Sequence, residues 1–377
     1  MDGALEAIAV VVGAGIVVLV LTDALSTLVV TQGRTAPWRP TRLWYAATWR
    51  LTRLVAARTP RRVSEAWLNA YPAVSLLGLL VLWLAGLVVG WGLVYRGLSY
   101  HVREGGDLGT LLYYSGASLL TPEFGTAHTA LLRILTLLAT LTGLGTIALL
   151  ISYLPALYGA YSKREARLLT LDDPAGRRIL PVRVVSLHCV DGDIKQLYDF
   201  FAEWETWTAE VLESHVSYPM LALFRSQHPG QSWITALGVV TDAATLTCAC
   251  VVGTEQREPY FLYRRGRRAI GEIADRLHIA PSEPEDWLTP ANFDAAWSMM
   301  SELGLPLREK EDAWERLREL RSHYGATLEQ LIDYLLAPRG FWGHSAEATV
   351  SEEVAEAMRE AMARARKPRG GSFLHSG

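Results

Sequence analysis

Cysteine is scarce in this 377-residue chain and comes late, as Cys189, Cys248 and Cys250. Three thiols after the last expected span argue against a disulfide framework and suit a reducing cytosol. Cys248 and Cys250 alone make a weak metal pattern, and a buried helix accounts for both. Strand-like alternation is nearly absent beyond Tyr158, so that half should be all-α. The Gly-x-Gly-x-x-Gly signature is missing, which counts against a dinucleotide ligand. No Ser/His/Asp, metal-ligand or phosphate-binding constellation stands out. The chain therefore reads as a non-enzyme, with no catalytic residue, cofactor, metal or nucleic-acid partner expected. The apolar run Ala7–Leu21 lacks the basic flank of a secretory signal, being preceded by Asp2 and Glu6, and no small-residue cleavage site follows Val30. It reads as a retained anchor.

What the chain does contain is a mixture. Half of its residues are hydrophobic, 20% are charged and the mean hydropathy is +0.15. Such a balance fits a molecule part membrane and part solvent-exposed. Three runs reach the ~20 residues that cross a hydrocarbon core: Ala7–Val30, Pro72–Tyr95 and Thr129–Tyr153. Between the first two lie Arg34, Arg39, Arg42, Arg50, Arg53, Arg58, Arg61 and Arg62 against the single acid Glu65. Basic loops stay on the cytoplasmic side, so this loop belongs inside and the N-terminus outside. Lys163, Arg164 and Arg167 follow the third run and place the C-terminal half inside as well. The mixed-charge connector Arg96–His128 belongs outside.

The Arg-rich loop has a helical period. Arg39, Arg42, Arg50 and Arg53 share one face, and Trp44, Ala47, Leu51 and Val55 share the opposite one. A helix of this kind lies at a membrane surface with its guanidinium groups on anionic lipid. Asp23 sits about two turns from the inner end of the first run. It either faces the bundle and pairs with a neighbour or rests at headgroup level.

Residues 107–158 combine features found nowhere else in the chain. Asp107 stands where an N-cap belongs, and Leu108–Leu120 suffices for about three and a half helical turns. Tyr113 and Tyr114 can wedge against neighbouring helices with their hydroxyls paired. The loop Thr121-Pro122-Glu123-Phe124-Gly125 follows, and then a long apolar helix. Non-helical backbone survives at bilayer depth only when buried in protein or lining a wet cavity, so this loop is a pore candidate.

The order of span, short helix, T-x-x-F-G loop and second span resembles the pore domain of the potassium-channel superfamily. More closely, the chain resembles a bacterial potassium-channel-like family with an added N-terminal span and a helical cytoplasmic domain. The segments YYSGASLLTPEFG, ISYLPALYGAYSKREARLLTLDDPAG, ESHVSYPMLALFRSQHPGQSWITALGVVTDAA and WERLRELRSHY carry that likeness, which covers about Asp23 to Pro338. It implies an all-α membrane protein, a homotetramer and passive conduction of potassium or other cations across the plasma membrane.

Thr121, Phe124 and Gly125 match a potassium filter of the T-V-G-Y-G kind, with Phe for Tyr, whereas Pro122 and Glu123 do not. Glu in a left-handed conformation costs roughly 1–2 kcal/mol, and Pro122 removes an amide hydrogen. Four copies would set Glu123 in a carboxylate ring, a device that selects cations. Potassium-selective flow, less selective cation flow and a silent pore all remain open readings of this loop. A silent pore would make the chain a non-conducting membrane receptor or scaffold. Gly143 and Gly145, near mid-membrane, serve either as a gating hinge or as close-packing sites. Pro155 should bend or end the helix. Arg133 either snorkels outward or pairs with Glu123.

In the second half, Ile194, Leu197, Phe201, Trp204, Thr208 and Val211 mark one amphipathic helix, and Trp314, Leu317, Leu320 and Tyr324 another. Gln231–Gly253 is apolar enough for a weak span. Crossing there would carry Arg264, Arg265, Arg267 and Arg268 outside, so a buried cytoplasmic helix is expected. His215 and His228, with Glu213 and Asp242 nearby, match no standard ligand spacing and read as a hydrogen-bonded core cluster. The organisation expected is an anchor over 1–31, an Arg-rich linker over 32–71, a pore domain over 72–158, a helical cytoplasmic domain over 159–340 and a C-terminal helix and tail over 341–377.

Overall fold

A computed structural model describes residues 2–29, 38–98, 108–121, 129–171, 180–189, 193–226, 231–254, 257–279 and 288–338. Among these residues the protein is all-helical, with no β-strand. The chain divides into two compact units, Met1–Gly159 and Ala160–Gly377.

In the first unit, α1 (Asp2–Leu28), α2 (Pro40–Arg58), α3 (Arg61–Gly97), α4 (Leu108–Leu120) and the greater part of α5 (Ala130–Leu168) follow one another. Proline punctuates them. Pro40 opens α2 at its first turn, where a missing amide costs nothing. Thr59, forced extended by Pro60 behind it, ends α2 with φ −105° and ψ 151°. Two prolines lie inside helices instead. Pro72 opens the apolar run Pro72–Tyr95, and α3 begins earlier, at Arg61, and runs through it. Pro155 was expected to bend or end the inner helix; it does not end it, since α5 continues to Leu168. Each proline withholds one amide, from Leu68 and Ile151 respectively, and the helix-forming residues on either side outweigh that loss.

Helix α3 is the spine of this unit. It has 37 residues, about 55 Å at 1.5 Å per residue. Helix α1 runs antiparallel along it: Gly13 meets Gly90, and Asp23 meets Trp83. A Cβ on Gly13 would lie 2.5 Å from the Gly90 carbonyl oxygen, so small residues set this close approach. A core of Val17, Val20, Leu79, Trp83, Leu87 and Leu119 fills the space between helices.

The second unit places α8 (Trp233–Cys250) at its centre. Packed around it are α6 (Pro181–His188), α7 (Lys195–Ser217), α9 (Glu258–Leu277), α11 (Lys310–Ser322) and α12 (Gly325–Tyr334), with α10 (Pro290–Glu302) beside α6. Helix α7 buries Leu197, Phe201, Trp204, Thr208 and Val211 of the stripe expected of it, while Ile194 stands half-buried at its N-cap. After α8 the chain makes one antiparallel bridge, Val251 to Leu307, with Arg308 N donating to the Cys250 carbonyl at 2.8 Å.

Among the described residues four helices (α1, α3, α5 and α8) are long and apolar enough to cross a membrane. Their surroundings differ. In its most apolar stretch α8 is 94% buried within the protein, against 17% for α1 and 33% for α3 and α5. Lipid-facing helices keep bare apolar surface, and α1, α3 and α5 do, at Val11, Leu77, Val81, Leu141 and Ile151. Helix α8 has no such face and instead buries Asp242 opposite Arg321. It fits the centre of a helical bundle.

Candidate functional site

The short helix α4 is held between α3 and α5 by polar contacts that fix both its direction and its depth. Ser115 Oγ donates to the Val88 carbonyl of α3 at 2.8 Å. On the other side, Tyr114 OH and Thr136 Oγ1 lie 3.1 Å apart, and Thr140 Oγ1 donates to the Ser118 carbonyl at 2.5 Å. Moving along α4, its partners on α5 rise in number, so the two helices run parallel. The ring of Tyr114 also meets Tyr95 edge-on at 5.1 Å. Tyr113, by contrast, is 77% exposed.

The end of α4 is the informative part. A helix leaves its last four carbonyls without helical partners, and burying them is costly unless other groups answer. The Ala117 carbonyl accepts from Thr121 N at 2.9 Å, and the Ser118 carbonyl from Thr140. The Leu119 carbonyl faces Gly143, where any side chain would collide with it; a Cβ there would also lie 2.8 Å from Leu119 Cβ. Gly143 is about thirteen residues, or about 20 Å, into α5. Helix α4 itself has 13 residues, about 20 Å, too short for a ~30 Å hydrocarbon core. Its carbonyl end, which carries partial negative charge, therefore lies deep along α5.

Of the residues expected to form the filter, Thr121 closes this end and is exposed. Pro122, Glu123, Phe124 and Gly125 lie outside the described residues, as does Asp107. Gly143 has a packing reason for being glycine. Gly145 has none: a Cβ there would meet nothing within 4 Å. Pro155 lies within α5. Arg133 is exposed in the first turn of α5. Sequence reasoning passed over Thr136 and Thr140, although two threonines and a glycine at i, i+4 and i+7 in an apolar run signal a helix-facing stripe.

A second polar cluster joins α1, α2 and α3 around Asp23, which is 2% exposed. One carboxylate oxygen accepts from Arg39 Nε at 2.9 Å. The other accepts from Thr41 N at 3.0 Å, Thr41 Oγ1 at 2.6 Å and Trp83 Nε1 at 3.0 Å. Arg39 also donates to Thr27 Oγ1 at 2.8 Å. Asp23 thus pairs with a neighbour. Arg39, expected on the lipid-facing side, turns inward with its side chain only 15% exposed. Arg42 and Arg53 are half-buried and Arg50 is exposed. Asp23→Asn is expected to keep three of the four bonds to the carboxylate, because its amide oxygen can take the place of the multiply bonded oxygen. It loses the charge facing Arg39, and should cost about 2 kcal/mol. Thermal unfolding of the purified protein in detergent checks this.

In the second unit the expected histidine cluster separates. His215 stacks on Trp233 at 4.3 Å, with Nδ1 2.7 Å from the Val211 carbonyl and Nε2 3.3 Å from Arg164. Glu213 points away and accepts from Ser217. Asp242 belongs to a different cluster, and His228 lies outside the described residues. No group of three potential metal ligands forms among the described residues. Lys163 pairs with Glu210 at 2.6 Å, Arg167 pairs with Glu203, and Arg265 with Glu205 at 2.9 Å. Arg164 is buried, donating to Glu165 and to the Leu221 and Phe224 carbonyls.

Burial, reinforced by the Arg164 charge, pushes His215 well below its ordinary value of 6.5. The unfolded chain therefore takes up a proton that the folded chain refuses. Stability is full above pH 6.5 and falls as pH drops below it, by about 1.4 kcal/mol per pH unit while this difference lasts. Melting curves from pH 7.5 to 5 should show a shallower loss for His215→Gln than for the unaltered protein. Burial also pushes the Cys250 thiol up to about 12, leaving it unreactive.

Comparison of the chain with family models, curated proteins and solved structures finds no match.

Proposed function

We propose that the protein is a potassium-channel-like cation channel, assembled from four copies around a path whose narrowest part is Thr121–Gly125. One observation carries the reading. A helix too short to cross the bilayer is wedged between two that can, with its carbonyl end deep along α5. A negative helix end at that depth favours a waiting cation, and a single such wedge per chain needs cyclic assembly to enclose a pore. Bare apolar residues on α5, among them Leu137, Leu141 and Leu144, and the exposed Tyr113 supply surface for neighbouring copies or lipid.

In this reading the pore domain comprises α3, α4 and the first part of α5, and α1 is an added anchor. The arginine-rich helix α2 lies at the cytoplasmic face of the plasma membrane. The N-terminus is outside and the second unit is cytoplasmic, in keeping with the balance of arginines. Transport is passive, α5 acts as the gate, and Glu123 contributes a ring of carboxylates. Purified protein in planar bilayers tests the assignment by ion replacement. Cation current whose selectivity weakens in Glu123→Gln supports it. Unchanged selectivity removes Glu123 from the pore, and silence in every salt favours a non-conducting scaffold.

A further inference from the structure

Helix α5 is one helix from Ala130 to Leu168, and the boundary between the two units falls within it, after Gly159. Beyond that point the helix ends in a socket centred on Arg164, whose side chain is 1% exposed. A guanidinium has five N–H donors, and each has an acceptor here. Nε donates to Glu165 at 2.9 Å. One terminal nitrogen reaches Glu165 at 2.8 Å and the Phe224 carbonyl at 2.7 Å. The other reaches the Leu221 carbonyl at 3.1 Å and His215 Nε2 at 3.3 Å. The rings of Tyr161 and Trp233 lie 5.2 and 5.3 Å from the guanidinium carbon. Trp207 Nε1 donates to the Arg164 backbone carbonyl at 3.3 Å, and Tyr161 OH to the Arg225 carbonyl at 3.2 Å. The grip on this end of α5 thus comes from α7, from α8 and from the turn Pro219–Leu223 with the two residues behind it.

One of these acceptors titrates. His215 Nδ1, 2.7 Å from the Val211 carbonyl and 3.2 Å from Ser214 Oγ, carries the ring proton, so Nε2 accepts from Arg164. A second proton would remove that acceptor and set two cations side by side. Around the imidazole, α5 presents Arg164 and Glu165, and α8 presents the Trp233 ring. Glu213 on α7 is turned away to Ser217. Glu165 is occupied by Arg164 and Ser226, and no carboxylate among the described residues pairs with the imidazole to offset a new charge. Burial keeps the second proton off until the pH is below 6.5.

We propose that Arg164 is the positioning residue of α5: the second unit holds the end of the helix through this socket, and a proton on His215 loosens it, so that acid alters the gate. The proposal rests on α5 being the gate of a channel, whereas the loosening itself does not require conduction.

Two readouts on the full-length protein, each taken from pH 7.5 to 5, provide the test. Hydrogen–deuterium exchange in detergent follows residues 160–168, corrected for the intrinsic pH dependence of exchange, and reconstituted single channels give open probability. In the unaltered protein exchange at 160–168 should rise below pH 6.5, with open probability changing over the same range. His215→Gln keeps an acceptor oxygen, takes up no proton and should leave both profiles flat. Arg164→Lys, with three donors in place of five, should raise exchange at 160–168 about tenfold at pH 7.5. It should also change open probability while single-channel conductance and ion selectivity stay the same. Should the lysine variant fail to fold, the His215→Gln profiles decide. A pH response that survives in His215→Gln, or exchange at 160–168 that Arg164→Lys leaves unchanged, overturns the proposal. Current whose open probability ignores a loosened socket overturns its link to the gate. Loosening in a protein that passes no current supports the socket and refutes the channel alone.

Discussion

Gly143→Val is expected to dislodge α4 and to reduce cation flux at least tenfold. The first atom of any side chain at 143 falls on the Leu119 carbonyl, which belongs to backbone and cannot rotate aside. Either α4 slides outward, breaking the Thr140–Ser118 and Tyr114–Thr136 contacts, or α5 bows away from it. Overpacking of this kind costs about 1–3 kcal/mol. The larger consequence is functional, because the proposed constriction hangs on the displaced end. Gly145→Val provides the comparison, since nothing lies within 4 Å there. It should keep both melting temperature and flux near those of the unaltered protein. If 143 were a hinge and not a packing site, the two substitutions would impair gating alike and leave stability untouched.

Arg321→Met should bring the largest loss of stability. Arg321 is buried between Asp242 of α8, 3.4 Å away, and Glu329 of α12, 3.0 Å away. Tyr324 donates its hydroxyl to Asp242 and lies 2.8 Å from Thr245 Oγ1. Burial alone would lower the guanidinium pKa, but the Asp242 carboxylate, with Tyr324 and Glu329, raises it overall. Removing the cation strands two carboxylates in an apolar interior, which costs about 3–5 kcal/mol. Replacing all three charges with apolar residues should restore much of the loss. Denaturant unfolding of the full chain followed by tryptophan fluorescence measures both variants. A single variant as stable as the unaltered protein would show that the cluster is solvated.

Much of this architecture was legible in the chain, for identifiable reasons. Helix α4 occupies Leu108–Leu120 as expected, because the sequence sets a short apolar run between Asp107 and the Thr121-Pro122 pair. Helix α8 proved a core helix where Gln231–Gly253 could have been a span, and Asp242 was the clue: a charge at mid-helix needs a partner that lipid cannot supply. Pro155 was legible as a bend or a stop and is not a stop: like Pro72, it sits inside a helix that loses only one hydrogen bond to it. The Asp23–Arg39 pair was half legible. The carboxylate demanded a partner, but eight arginines competed for it, and only the fold brings the one sixteen residues away into reach. Helical period put Arg39 with Arg42, Arg50 and Arg53; it carries no information about which neighbour a flexible side chain will reach. Of the proposed constriction only Thr121 is described, and Pro122–Gly125 fall outside the described residues.

Potassium uptake by liposomes is the most direct test of an ion path through this protein. Purified protein reconstituted at low density should admit potassium or rubidium down its gradient, exclude chloride, and lose that flux in Gly143→Val. Vesicles that stay tight to every cation, while cross-linking shows folded tetramers in their membranes, would contradict it.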